Sequence, residues 1–153
     1  MLDQLFASGP RRVHRTRKRR GSALIELTLI APWFLFLSVG TLDLGIYSYS
    51  LITLENAVRV AATYTSKNPS KAADQAGACI KVRDEMANLP NLAAVTSCGA
   101  APLVVTATAG AGPDGSPATS VSITYTTARL IPIPGLLAGQ MTITRNVQMR
   151  VKP

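Results

Sequence analysis

Histidine is almost missing from this 153-residue chain: residue 14 is the only one. Cysteine is nearly as scarce, with Cys79 and Cys98 alone. No cluster of these two residue types has the spacing of a zinc site. No G-x-S-x-G stretch marks a serine nucleophile. The stretch Asp114-Gly115-Ser116-Pro117-Ala118 begins like the metal motif D-x-S-x-S, but Ala118 replaces its second serine and the segment reads as a turn. These gaps argue against an enzyme and imply no cofactor and no metal. Acids are few as well, 8 Asp and Glu against 16 Lys and Arg, for a formal charge of +8. The imbalance is local. Residues 1–21 hold seven Lys/Arg and one acid, a net of +6, whereas residues 22–153 hold nine and seven, a net of +2. A uniformly basic surface would suggest nucleic acid; basicity confined to the first residues excludes it.

What is present is a basic run followed by an apolar span. Arg11 to Arg20 carries seven like charges, which repel one another and prevent compact structure. Lys/Arg-rich flanks stay on the cytoplasmic side of a membrane, and the same charges suit anionic lipid head groups. Gly21 ends the run. From Leu27 to Leu42 no side chain is charged, which is about 24 Å of helix. That is slightly short of a bilayer core of about 30 Å, but apolar residues resume after Asp43. Tyr47 and Tyr49 suit the point where a helix leaves lipid, and Asp43 reads as a marker of the same outer interface. Pro32, which lacks a backbone donor, is expected to kink the span near its start. Glu26 is the one carboxylate near the start of the span. Such a group costs roughly 2.5–3.5 kcal/mol at the centre of a membrane helix, and less near its edge.

The sequence Arg20-Gly21-Ser22-Ala23-Leu24-Ile25-Glu26 resembles the class III signal of type IV prepilins and pseudopilins. The longer stretch Gly21 to Ser66, with Ala31-Pro32 in the span and Leu54-Glu55-Asn56-Ala57-Val58-Arg59-Val60-Ala61-Ala62 after it, resembles the TadE-like proteins of the tight-adherence (Tad, Flp) pilus. The closing Met149-Arg150-Val151 is similar too. This resemblance implies cleavage between Gly21 and Ser22 by a prepilin peptidase, and an assembly role for Glu26 at the amino terminus of a neighbouring subunit. A carboxylate stabilised by the macrodipole at a helix start is the simpler account of Glu26.

Further along, Leu51, Leu54, Val58, Ala61 and Ala62 form one apolar stripe at helical spacing. Glu55 and Arg59 stand four apart with the acid first, as in a surface pair. One helix is therefore expected from about Ser22 to Thr65. Lys67-Asn68-Pro69 breaks it. Ser70 is a candidate cap for a second helix to about Asn88, with Ala72, Ala73, Ala76, Cys79, Ile80 and Met86 on its buried side. Leu103–Thr108, Val121–Thr126 and Met141–Val151 read as strands. Gly110–Pro117 is a turn, and Ile131–Leu137 an irregular proline-rich loop. The expected fold is α+β: a long helix, a second helix and an antiparallel sheet of three or four strands. Both cysteines follow the span, so both are expected in an oxidising periplasm. With two cysteines only one intramolecular pairing exists, Cys79–Cys98; free thiols or pairing between subunits are the alternatives.

Three segments follow: a basic cytoplasmic leader over 1–21 that is cleaved, the transmembrane part of a long helix over 22–46, and a periplasmic pilin-like domain over 47–153. The expected function is that of a minor pseudopilin in the bacterial inner membrane. Its partners would be other Tad pilins and pseudopilins, the prepilin peptidase, the inner-membrane assembly platform and the lipid bilayer, with no nucleic acid. The alternatives are a soluble binding or enzyme domain released by signal peptidase after about Gly40, and a bitopic membrane protein that is never processed.

Overall fold

The computed structural model describes residues 20–129 and 139–153. The basic arm ahead of Arg20 and the proline-rich loop Ile131–Leu137 lie outside the described residues. The architecture is α+β. Helix α1 (Arg20–Thr65) leads through a 3-10 turn (Pro69–Lys71) to helix α2 (Gln75–Glu85), and strands β1 (Gly99–Ala100), β2 (Leu103–Ala111), β3 (Pro117–Thr126) and β4 (Thr142–Arg150) follow. The chain divides into two compact units, Met1–Phe36 and Leu37–Pro153, with the boundary inside α1.

In the first unit α1 is continuous through Pro32. Its large apolar side chains are exposed on every side, Leu29 at 74% and Trp33 at 70% among them. A helix apolar all round is a helix meant for an apolar surrounding.

In the second unit the pattern narrows to a stripe. Leu54, Ala57, Val58, Ala61 and Ala62 are buried, while Ile52, Glu55 and Arg59 point outward. This stripe joins Val82 and Met86 of α2 and Leu103, Val105, Val121, Ile123 and Tyr125 of the sheet in one core. Three of its five residues are alanines.

The strands run β1-β2-β3-β4, each antiparallel to the next. Alternation sets the faces: Val121, Ile123 and Tyr125 are buried, and the alternating Ser122, Thr124 and Thr126 are half-buried. β2 and β3 outrun the expected strands, because their ladder continues to Ala111 opposite Pro117. Residues 112–116 suffice to close the hairpin. Gly115 takes φ +73°, which suits a residue without a Cβ, and the N–H of Gly112 donates to Ser116 O at 2.8 Å.

Three expectations need correction. The second helix is shorter than expected and is capped by Asp74, not Ser70: the N–H of Gly77 donates to Asp74 Oδ1 at 2.9 Å. Ser70 is occupied elsewhere, its hydroxyl donating to Asn68 Oδ1 at 2.9 Å, and Asn68 caps the 3-10 turn instead. Beyond Met86 the backbone continues as successive tight turns, with Leu89 N bonded to Met86 O and Leu92 N to Leu89 O. The buried side of α2 is Ala78, Val82 and Met86, at a spacing of four; Ala73, Ala76 and Ile80 are exposed and Cys79 is half-buried. Apolar residues ring α2 with little contrast, so its contacts with the sheet choose the face. Finally, Glu55 pairs with Arg145 of β4, Oε1 to Nε at 3.4 Å, rather than with Arg59. β4 passes close beside α1 and places a long cation there.

Cys79 and Cys98 form a disulfide with their Cα atoms 5.8 Å apart. It ties α2 to the segment entering β1. Two further tethers hold α1 and the turn to the sheet: Thr119 Oγ1 donates to Ala72 O at 2.7 Å, and Lys152 N donates to Ser66 O at 2.9 Å. Tyr125, wholly buried, donates its hydroxyl to Asn91 Oδ1 at 2.5 Å, and Asn91 Nδ2 donates to Thr126 O at 2.7 Å.

Two measurements check this packing. Thiol labelling of the denatured, non-reduced chain will find no reactive thiol, and opening a loop of this size by reduction will lower the unfolding free energy by about 3 kcal/mol. Ile123→Ala, which empties a fully buried site, will cost about 2–5 kcal/mol in denaturant titration.

Candidate functional site

Two surfaces stand out. The first is the exposed apolar part of α1. Gly21 and Ser22 lie in its first turn. Glu26 stands one helical turn after Ser22 and is exposed. One hydroxyl of this part is turned back onto the helix: Thr28 Oγ1 donates to Ile25 O at 2.9 Å. Farther on, Thr41 Oγ1 donates to Leu37 O at 2.8 Å, and Ser50 Oγ to Ile46 O at 2.9 Å. Hydroxyls satisfied within their own helix are compatible with hydrocarbon. By length and composition the helix is able to cross a membrane, and no part of its most apolar 18-residue window is buried.

Asp43 lies on the buried side of α1. It is only 5% exposed, and its Oδ2 has no hydrogen-bond partner among the described residues. The helical repeat supplies the reason. Asp43, Tyr47, Ser50 and Leu54 are spaced four, three and four apart, so Asp43 opens the same stripe that Leu54 and Val58 continue. That spacing is the sequence signal for its burial.

The second surface lies where α1 and α2 run side by side in opposite directions. Tyr64 near the end of α1 donates its hydroxyl to Asp74 Oδ2 at 2.7 Å, at the start of α2. Asn56, two turns back on α1, donates to Glu85 Oε1 at the end of α2. Lys71 Nζ sits 4.8 Å from the centre of the Tyr64 ring. Gly77 allows this close approach, since a Cβ there would overlap the Tyr64 ring and hydroxyl and Asp74 Oδ2. Between the helices is an open cleft of about 280 Å³ lined by Arg59, Val60, Thr63, Tyr64, Lys67 and Lys81.

The site residues expected from sequence therefore fall in two places. Gly21, Ser22 and Glu26 belong to the first unit, and the bonded pair Cys79–Cys98 to the second. Among the described residues no group of three His, Cys, Asp or Glu is arranged to hold a metal. The exposed span, and its passage into a one-sided stripe, is the feature that comparison with known families addresses.

Residues 21–63 match the family model of TadE-like proteins. No curated protein and no solved structure matches the chain. The TadE-like segment starts at Gly21 and runs through the exposed span, Asp43 and the buried stripe from Leu54 to Ala62. It includes neither α2 nor any strand. TadE-like proteins are structural components of the Tad pilus.

The cap at Asp74 generates a pH prediction. The Gly77 N–H, then the Tyr64 hydroxyl, hold the Asp74 carboxyl below the ordinary carboxylate range. A carboxyl with a lowered folded pKa contributes stability that is complete above its unfolded value, about pH 4. That contribution disappears as the pH falls through the lowered folded value. Asp74→Asn will therefore flatten the acid limb of the stability profile while leaving the neutral-pH fold intact. Denaturant midpoints between neutral and acid pH will show it. Gly77→Ala will lower the midpoint at every pH, because it wedges Tyr64 away from Asp74.

Proposed function

We propose that this chain is a minor pseudopilin of a Tad (Flp) type IV pilus, acting in pilus biogenesis and so in adhesion. One observation carries the reading: the TadE-like match coincides with a helix that is apolar all round and then packs as a stripe into a small α+β domain. An all-apolar surface is suited first to lipid and then to the flanks of similar helices. The basic residues ahead of Gly21 orient the segment with its N-terminus in the cytoplasm, which puts the domain over residues 47–153 in the periplasm. The disulfide fits that oxidising compartment.

In this reading a prepilin peptidase cuts between Gly21 and Ser22. The cut removes the basic leader and leaves a new α-amino group at Ser22. A cation at that position is a suitable partner for the Glu26 carboxylate of an adjacent subunit, since a charge in an apolar surrounding is stabilised only when paired. The partners are other Tad pilins and pseudopilins together with the inner-membrane assembly platform. Removal of residues up to about Gly40 by signal peptidase is the competing reading, and it would leave the second unit nearly whole.

The first residue of the protein from the membrane fraction separates the two. Mass spectrometry will find Ser22; a start near Thr41 would establish the secreted domain instead. For Glu26, the substitution Glu26→Ala will leave insertion and cleavage intact but reduce co-purification with pilin partners about ten-fold or more, the scale of a lost charge-assisted contact. Glu26→Gln will behave as Glu26→Ala if charge, rather than shape, is what the partner meets. Normal piliation in both variants would remove Glu26 from the mechanism.

A further inference from the structure

The cleft between α1 and α2 gathers cations that nothing in the described fold neutralises. Arg59 of α1, Lys67 just past its end and Lys81 of α2 all line it, and all three are exposed. None has an acid within ion-pair distance among the described residues. The acids that stand near are engaged elsewhere. Glu55 pairs with Arg145 of β4, Asp74 accepts the Tyr64 hydroxyl and the Gly77 N–H, and Glu85 accepts from Asn56. Asp84 lines a different hollow, with Arg83, Leu92 and Ala93. Lys71, held over the Tyr64 ring, adds positive charge beside the cleft. Like charges gathered on the walls of a cleft repel one another and draw in an anion. The other walls are Val60, Thr63 and Tyr64, so the cleft offers apolar contact among its cations.

We propose that this cleft binds an acidic, partly apolar segment of another protein. Arg59 and Lys67 are separated by about 12 Å at the rise of a helix, and α2 contributes Lys81. An occupant that answers all three carries carboxylates at several points along its length, as a peptide does. Val60 and the Tyr64 ring suit an apolar side chain among those carboxylates, which a phosphate polymer lacks. A groove between two helices is a recurrent seat for such a segment. The chain itself does not supply it. The residues ahead of Gly21 are basic. Among the exposed acids of the Leu37–Pro153 unit, Glu55 and Asp114 are paired with arginines. Asp84 alone has no partner among the described residues, so a second copy brings one carboxylate rather than a row. Lipid head groups are out of reach as well, because Arg59 lies twelve residues beyond Tyr47, about 18 Å of helix. Only that last step rests on the reading above, in which α1 leaves the bilayer near Tyr47.

The test uses the full chain in detergent. The probe is a fluorescent synthetic helical peptide with glutamates four residues apart and leucines beside them, and anisotropy reads its binding. The native chain will bind it, and exchanging its glutamates for glutamines will weaken binding about ten-fold or more. Arg59→Gln with Lys81→Gln will have the same effect, and Val60→Ser will weaken binding too. Arg83→Gln with Arg129→Gln removes equal charge outside the cleft and will leave binding unchanged. No binding by the native chain, or equal loss in the two double variants, overturns the proposal. Polyphosphate or anionic-lipid vesicles that compete more strongly than unlabelled peptide, in a way that needs Arg59 and Lys81, overturn it as well, because the cleft then serves phosphate. An unchanged denaturant midpoint verifies the fold of each variant. If the cleft variant unfolds, a photoreactive amino acid at position 63 of the otherwise native chain, cross-linked in native membranes and mapped by mass spectrometry, takes its place. Salt-sensitive attachment to an Asp/Glu-rich segment of another protein supports the proposal, and attachment only to lipid, glycan or another copy overturns it. Binding by a chain whose first residue is near Thr41 would uphold the cleft while removing the pseudopilin reading. Cleavage at Ser22 without binding in the cleft would do the reverse.

Discussion

A helix facing an apolar surrounding must satisfy its peptide groups internally and carry its apolar side chains on every side. A helix packing on a folded domain needs them on one stripe only. α1 meets both demands with one backbone. Up to Phe36 it shows no preferred face, with Leu, Ile, Trp and Phe exposed all round. From Leu54 to Ala62 the same helix buries one side against α2 and the sheet and presents Glu55 and Arg59 on the other. Every other element of the second unit is arranged around that stripe.

The elements that complete the core have few resources of their own. α2 is short, 11 residues, and its apolar residues are spread around it. Its position is fixed from outside: by the disulfide to Cys98, by the Asp74 cap that also receives the Tyr64 hydroxyl, and by the Asn56–Glu85 contact. Each of these joins α2 to a neighbour at a different point, so the helix can neither slide nor rotate. The sheet is simpler. Its strands pair with their sequence neighbours, and the Thr119–Ala72 and Lys152–Ser66 bonds tie it to the helical layer.

Much of this was legible in the residues. The apolar span, the stripe from Leu54 to Ala62, the break at Asn68-Pro69 and the alternation in β3 are local signals whose period states their conformation. The family match over residues 21–63 agrees with the resemblance carried by Gly21, Glu26 and the Leu54–Ala62 stretch. Legibility failed where several local solutions were available. Ser70 is a competent cap by residue type, but its hydroxyl is engaged by Asn68 and Asp74 takes the role. Glu55 has Arg59 at the favourable spacing, yet Arg145 arrives from a strand 90 residues later in the chain. The charge of Asp43 says nothing of which face it takes, and its spacing from Leu54 puts it on the buried side.

The sequence by itself determined the features that depend on near neighbours: where α1 is apolar all round, where it becomes one-sided, where it stops, and that two cysteines could pair only with each other within one chain. Hydrophobic period, proline geometry and residue count act locally, so they can be read without a fold. The tertiary structure alone decided which face α2 buries and which cation Glu55 meets. Those outcomes depend on which distant residues arrive at a given place. An 11-residue helix with weak apolar contrast has no strong preference for its neighbours to override.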